Sequence, residues 1–261
     1  MADLQKRPSA IVSGSATGIG AACAKMLAAQ GFNVAVNYSR SQSEASATAE
    51  ACRRAGGDTI VVRGDVSDDG DCRRIVDDTI SRWGRLDVLV NNAGTTRFAD
   101  PKDLSALSKE DFETIFSVNL IGTYQLTRAA VPYLKQSDDA SVINVSSHSA
   151  FSGIGSSIAY AASKGALNTL TLSLARALAP EVRVNAVCPG FVDTNWMSGS
   201  LDEDSLTDFK AKVAAVAPLK TLVSPKDTAE AVCWFARGGR AITGQLLVID
   251  GGTHLTVGNP I

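Results

Sequence analysis

Residues 10–31 read AIVSGSATGIGAACAKMLAAQG. Three apolar residues run into a turn of glycines and small hydroxyls, and Ala21 to Gln30 follow without glycine or proline. That order predicts a buried strand, a tight turn and a helix in immediate succession. Gly14, Gly18 and Gly20 set the spacing G-x-x-x-G-x-G. Glycines in such a turn let the backbone come close to a ligand, and the helix behind it offers unpaired N–H groups to a pyrophosphate. A turn that serves the fold alone is the plain alternative, and its surroundings decide.

The same rhythm continues along the chain. Apolar, β-branched runs recur at 34–36, 59–62, 86–90, 141–145, 182–187 and 246–249. Stretches of helical length lie between most of them, at 18–30, 43–55, 68–83, 109–135 and 158–178. Buried strands alternating with amphipathic helices predict an α/β fold: a doubly wound, Rossmann-type parallel sheet of about seven strands with helices on both faces. No linker or shift of composition divides the 261 residues, so 1–261 reads as a single domain. At the first strand–helix junction of such a sheet, the turn at 13–20 favours a nucleotide. The pattern loosens at 191–217, beyond the carboxyl end of the sixth strand. An insertion there is a candidate substrate-binding loop or lid, with an ordinary surface excursion as the alternative.

Hydrophobic residues make up 45% and charged residues 20%, the balance of a soluble globular protein. A formal net charge of −2 gives no reason to expect nucleic acid or an anionic membrane as partner. MADLQKRPSA has no apolar core of signal-peptide length, and no stretch is long enough to span a bilayer. Five scattered cysteines, Cys23, Cys52, Cys72, Cys188 and Cys233, form no C-x-x-C pair and read as reduced, packed thiols of a cytoplasmic protein. With His148 and His254 the only histidines, a histidine-rich metal site is excluded.

The second strand helps to choose the nucleotide. An acidic residue at its end would bind a ribose 2′-hydroxyl and repel a 2′-phosphate. Here the strand ends Tyr38, Ser39, Arg40, with a hydroxyl donor and a guanidinium and no carboxylate. This favours NADP(H) over NAD(H). Were Arg40 merely the start of a solvated helix, the preference would weaken.

Further along, Tyr160 and Lys164 stand four apart in AYAASKGAL, on one helical face, separated by small residues. Alone, that pair is either a surface contact or a tuned acid. Three more stretches fall just after strands: NNAG at 91–94, Ser146 and Ser147, and CPGFVDT at 188–194. They share the rim that holds the glycine turn.

Together with VNL at 118–120, these motifs resemble the short-chain dehydrogenase/reductase family in order and spacing over essentially the whole chain. The resemblance implies a catalytic tetrad of Asn119, Ser147, Tyr160 and Lys164, with the family's serine–tyrosine distance selecting Ser147 over Ser146. Ser13 stands where the family usually has threonine. The resemblance also implies cofactor contacts from Ser15, Thr17 and Ile19 in the glycine turn, from Asp65 and Val66, and from Asn91, Ala93 and Gly94. Pro189, Gly190, Val192 and Thr194, with Tyr160 and Lys164, complete that set. It implies that Lys164 meets the nicotinamide ribose and that Asn119 holds a water in a proton relay.

The residue types suit carbonyl reduction. A cation ~5 Å from a phenol, at an effective dielectric of ~20, favours the phenolate by roughly 3 kcal/mol, or about 2 pK units. Lys164 is placed to supply that charge, so that Tyr160 serves as acid in reduction and base in oxidation. Ser147 would hold the carbonyl oxygen. Thr95, Thr96, Arg97, His148, Trp196 and Met197 are expected to shape a moderately apolar substrate pocket.

The expected activity is an NADP(H)-dependent oxidoreductase of small ketones or aldehydes. The chain is also similar to 3-oxoacyl-acyl-carrier-protein reductases, the alternative. Asp138, Asp139 and Glu181, expected near the catalytic mouth, would repel an acidic carrier. A nucleotide-sensing protein without chemistry is a third reading, which has no use for Tyr160 with Lys164. Family resemblance implies a homotetramer, or a homodimer, through the helices at 109–135 and 158–178, where Leu167, Leu170, Leu174 and Leu178 exceed what one sheet face needs.

Overall fold

Seven strands carry the chain back and forth: β1 (Ser9–Val12), β2 (Asn33–Tyr38), β3 (Thr59–Arg63), β4 (Val88–Asn91), β5 (Ala140–Val145), β6 (Val182–Pro189) and β7 (Leu246–Ile249). The computed structural model describes residues 7–194, 196 and 202–256. The strands form one parallel sheet in the order β3-β2-β1-β4-β5-β6-β7. In register, Ile11 of β1 sits between Ala35 of β2 and Leu89 of β4. The winding reverses between β1 and β4, which opens a crevice at the carboxyl ends of those strands.

Every residue of β1, β2, β4, β5 and β6 is buried, as expected of parallel strands covered on both faces. Because side chains alternate, Ala10 and Val12 enter one core while Ile11 enters the other. The first core is closed by α1 (Gly18–Ala29), α2 (Gln42–Arg54) and α9 (Pro225–Arg237); the second by α3 (Asp69–Trp83), α5 (Thr123–Leu134) and α7 (Ile158–Leu178).

Local signals explain the boundaries. Asp68 caps α3 by accepting from Asp71 N, and Gly84, at φ 72°, ends it in the left-handed region. Capping boxes start α4 (Lys109–Phe116) at Ser108/Asp111 and α9 at Ser224/Asp227. No side chain caps α1, so its first N–H groups face the crevice.

The stretch 109–135 is not one regular helix. A π turn over Ser117–Gly122 joins α4 to α5 and carries Asn119. The stretch 191–217 is not all loop either, since α8 (Glu203–Val216) occupies its second half. Four-residue α6 (Ser149–Ser152) follows β5. The leucines expected to exceed the core's needs largely serve it: Leu167 is buried and Leu174 and Leu178 pack against the second core. The apolar surface left open on α5, α7 and the π turn belongs to Ile121, Tyr124, Ile158 and Leu172.

Candidate active site

A cleft of about 2260 Å³ runs along the carboxyl ends of the strands. Of the residues expected to hold a cofactor, all line it except Ser15, Gly20 and Asn91. Ser15 is buried beneath the turn, donating to Val12 O (2.7 Å) and accepting from Asn37 N (3.1 Å). Gly20 is required by packing: a Cβ there would fall 2.4 Å from Asn92 Nδ2 and 2.5 Å from Gly14 O. Asn91 turns into the protein, donating to Asn144 Oδ1 (2.9 Å) and Thr127 Oγ1 (3.0 Å), so its side chain does not reach the cleft.

The glycine turn is braced from two sides. Ser13 Oγ accepts from the main-chain N–H groups of Asn92 and Ala93, each at 3.0 Å. Asn92 Nδ2 donates to Ser13 O and Gly14 O (3.0 and 2.9 Å), and Asn37 Oδ1 accepts from Gly14 N (3.0 Å). Neither Asn37 nor Asn92 was expected from the motif. The available signal for Asn37 is a lone amide inside the apolar strand VAVNY, which burial obliges to find partners. Gly14, at φ +59°, sits where a Cβ would come 2.9 Å from Ala93 Cα. A bare backbone turn beneath an uncapped helix suits an anionic bridge between two nucleotides. Ser39 and Arg40, both exposed, line the cleft at the β2 exit.

At the reactive end, α7 carries Tyr160 and Lys164 one turn apart. Lys164 is buried, its Nζ donating to Val145 O at 2.8 Å and lying 5.7 Å from the centre of the Tyr160 ring. The expected lowering of Tyr160 by this cation is not what the structure shows. Burial pushes Tyr160 up to about 12, with the Ser147 hydroxyl as the opposing influence. Burial likewise pushes Lys164 down to about 8. The Lys164 ammonium is itself desolvated, and burial is the dominant influence on both groups. Burial thus moves the phenol further toward its protonated form, the form that donates a proton.

Ser147 Oγ donates to Ser149 Oγ and accepts from Ser149 N, each at 3.1 Å. Ser149 was not expected; it fixes the hydroxyl beside Tyr160. Ser146 turns away, donating to Asn168 Oδ1 at 2.7 Å. Asn119 is fully buried and does not line the cleft. Its Oδ1 accepts from Thr95 N (2.8 Å), and its Nδ2 donates to Thr95 O (3.0 Å) and Ser163 Oγ (2.9 Å). With its amide oxygen and both amide hydrogens engaged, the side chain braces the site.

Among the residues expected to meet substrate, Ser147, His148, Tyr160 and Trp196 line the cleft. Trp196 lies 5.9 Å from the Tyr160 ring, centre to centre. Thr96 does not line it, its hydroxyl instead pairing with Ser156 Oγ at 2.6 Å. Met197 lies outside the described residues. Helix α8 docks on the β6 exit through Phe191 against Phe209 (5.1 Å, edge-on) and Lys210 with Asp193 (2.7 Å).

The family described as enoyl-(acyl carrier protein) reductase matches residues 14–254. The chain belongs to the short-chain dehydrogenase/reductase family. This short-chain dehydrogenase/reductase is 44% identical over 253 residues to a protein named as ketoacyl reductase 2 of the granaticin polyketide synthase of Streptomyces violaceoruber, covering 97% of this chain and 98% of that one. It is 32% identical over 249 residues to 3-oxoacyl-[acyl-carrier-protein] reductase FabG of Staphylococcus aureus, covering 95% and 98%. A crystal structure described as a short-chain dehydrogenase/reductase from Burkholderia xenovorans superposes with a TM-score of 0.89 at 44% identity, covering 96% of this chain and 99% of that one. The protein is an oxidoreductase acting on CH–OH and C=O groups, in a family that uses NAD(P).

Proposed function

We propose that this oxidoreductase reduces small, uncharged ketones or aldehydes with NADP(H), and that Tyr160 is its general acid. The observation that carries the reading is the half-buried Tyr160 phenol with Ser147 and Lys164 in the same cleft as the glycine turn. Tyr160 donates the proton to the carbonyl oxygen, and Ser147 donates a hydrogen bond that orients it. Lys164 takes the ribose hydroxyls and holds positive charge behind the phenol. A bound reduced nicotinamide supplies the hydride that the carbonyl carbon receives. Ser39 and Arg40, with no carboxylate at the β2 exit, support recognition of a 2′-phosphate.

Charge at the mouth supports free substrates. Residues 97–113 carry five carboxylates against three cations, and 202–216 carry four against two. Such a surface disfavours an acidic carrier. Asp138, Asp139 and Glu181 do not contribute, contrary to expectation. They precede β5 and β6, at the amino ends of the strands on the opposite rim, where Asp139 pairs with Arg183 and Arg240, and Glu181 with Lys135. The relatives named as ketoacyl and 3-oxoacyl-carrier reductases favour the second reading, reduction of a carrier-bound 3-oxoacyl group. We further propose a cytoplasmic homo-oligomer, a tetramer or dimer, which would cover Ile121, Tyr124 and Leu172; among the described residues no helix is long and apolar enough to cross a membrane.

NADPH and NADH oxidation, followed over a panel of free carbonyl compounds and a carrier-bound 3-oxoacyl thioester, tests all of this. Turnover of free ketones with NADPH is expected. Turnover of the thioester alone would establish the second reading, and nucleotide binding without any turnover would leave a sensor.

A further inference from the structure

The chain has two histidines, and both stand beside one buried carboxylate. Asp250, at the exit of β7, accepts from Gly252 N (2.9 Å) and His254 N (2.7 Å). His254 Nδ1 lies 2.9 and 3.0 Å from its two oxygens. His148 Nε2 stands 3.9 Å from Oδ2. The approach is built into the fold: a Cβ at Gly190 would lie 2.7 Å from Asp250 Cβ, and His148 N donates to Pro189 O at 2.8 Å. Burial pushes the Asp250 carboxyl up, but the His254 ring and the N–H groups of His254 and Gly252 outweigh it and hold it below the usual range. It therefore stays an anion.

His148 directly follows Ser147 and lines the cleft with little of its side chain exposed. Ser147 and Tyr160 already account for the reacting carbonyl oxygen. An imidazole one residue along, next to a fixed anion, is a donor without a role in that step.

We propose that His148 is a specificity-determining residue that donates to a second oxygen of the substrate, close to the reacting carbonyl. Asp250, fixed in turn by His254, is the positioning residue: its anion lies 3.9 Å from His148 Nε2, too far to take a hydrogen bond but near enough to keep the hydrogen on that nitrogen, free to be donated. The favoured class is ketones carrying a neighbouring ester, amide, thioester or hydroxyl oxygen. This rests on the reductase reading above.

The test uses the full chain with NADPH and two ketones of matched length, ethyl acetoacetate and 2-heptanone. His148→Phe is expected to raise KM for the oxoester about tenfold more than it raises KM for 2-heptanone, with kcat for the two ketones changed in equal proportion. His148→Gln, which restores a donor, recovers most of the loss. His254→Gln, on the exposed side of the carboxylate, raises the oxoester KM by about threefold, and has no added effect in the His148→Phe background. NADPH affinity, read by fluorescence titration, stays unchanged throughout. An equal loss on both ketones, no loss on either, or a His254→Gln effect that persists without His148 would each overturn the proposal while leaving the reductase reading intact. A wild type that reduces no carbonyl compound would remove both.

Discussion

Lys164 directs its Nζ to the main-chain carbonyl of Val145, 2.8 Å away, while lying 5.7 Å from the centre of the Tyr160 ring. The cation is thus held from behind by the sheet. Lys164 is buried and Tyr160 half-buried at the cleft wall, and desolvation moves each toward its neutral form.

A stability signature follows. Lys164 falls from 10.5 to about 8 in the folded protein, so between these values the unfolded chain binds more protons and stability rises with pH. Below pH 8 both states are protonated, and the cost of burying the charge is fully present. Comparing wild type with Lys164→Met by denaturant titration cancels the other groups. The wild type should gain up to about 3 kcal/mol relative to the variant between pH 8 and pH 10.5. A constant difference across that range would show that burial is not what sets this lysine.

Tyr160→Phe keeps the ring against Trp196 and removes the phenolic hydroxyl. Turnover should fall by about 10³-fold or more with NADPH affinity changed little. Stopped-flow turnover and fluorescence titration separate the two. A folded variant that keeps its rate would unseat Tyr160 as the acid.

The sheet and its rim were legible because strand periodicity and glycine spacing are local signals. The strand at 246–249 and the helix at 158–178 match observed elements residue for residue. The sequence does not show that Asn91 turns inward while Asn92 braces the turn, since neighbouring residues on a strand are told apart only by what each face meets. Nor does it show that burial is the main influence on Tyr160, because desolvation is a property of the packed site. The misplaced Asp138 and Asp139 show the same limit: their charge could be read, but not which end of the sheet bears it.

Ser13→Ala should be more costly than a place in a turn would suggest. The hydroxyl is buried and accepts two main-chain N–H groups, which alanine leaves unpaired. A loss of about 2 kcal/mol in stability and weaker NADPH binding are expected, with Ser13→Thr near wild type. Thermal melts and titrations check both variants.

Two glycines with positive φ allow strain to be separated from contact. A Cβ added at Gly56, where φ is +104°, would meet nothing within 4 Å, whereas one at Gly14 would meet Ala93. Gly56→Ala should lose about 1–2 kcal/mol by backbone strain alone and still bind nucleotide. Gly14→Ala should lose nucleotide binding as well. Denaturant titration and NADPH fluorescence, run on both variants, tell the two effects apart.

Arg40→Ala should weaken NADPH by roughly tenfold or more and leave NADH unaffected. Parallel titration with the two nucleotides reads this directly, and equal effects on both would show that Arg40 does not meet a 2′-phosphate.

The Asn119 brace joins Thr95 and Ser163, 24 and 44 residues away along the chain. The nucleotide turn is tied across longer separations, with Asn92 reaching back 79 and 78 residues to Ser13 and Gly14. Closing a longer stretch of chain costs more entropy, so the shorter ties form first. A refolding molecule would therefore assemble the brace behind its reacting groups before it regains its grip on the coenzyme, and the interval between the two would time the arrival of β1 beside β4.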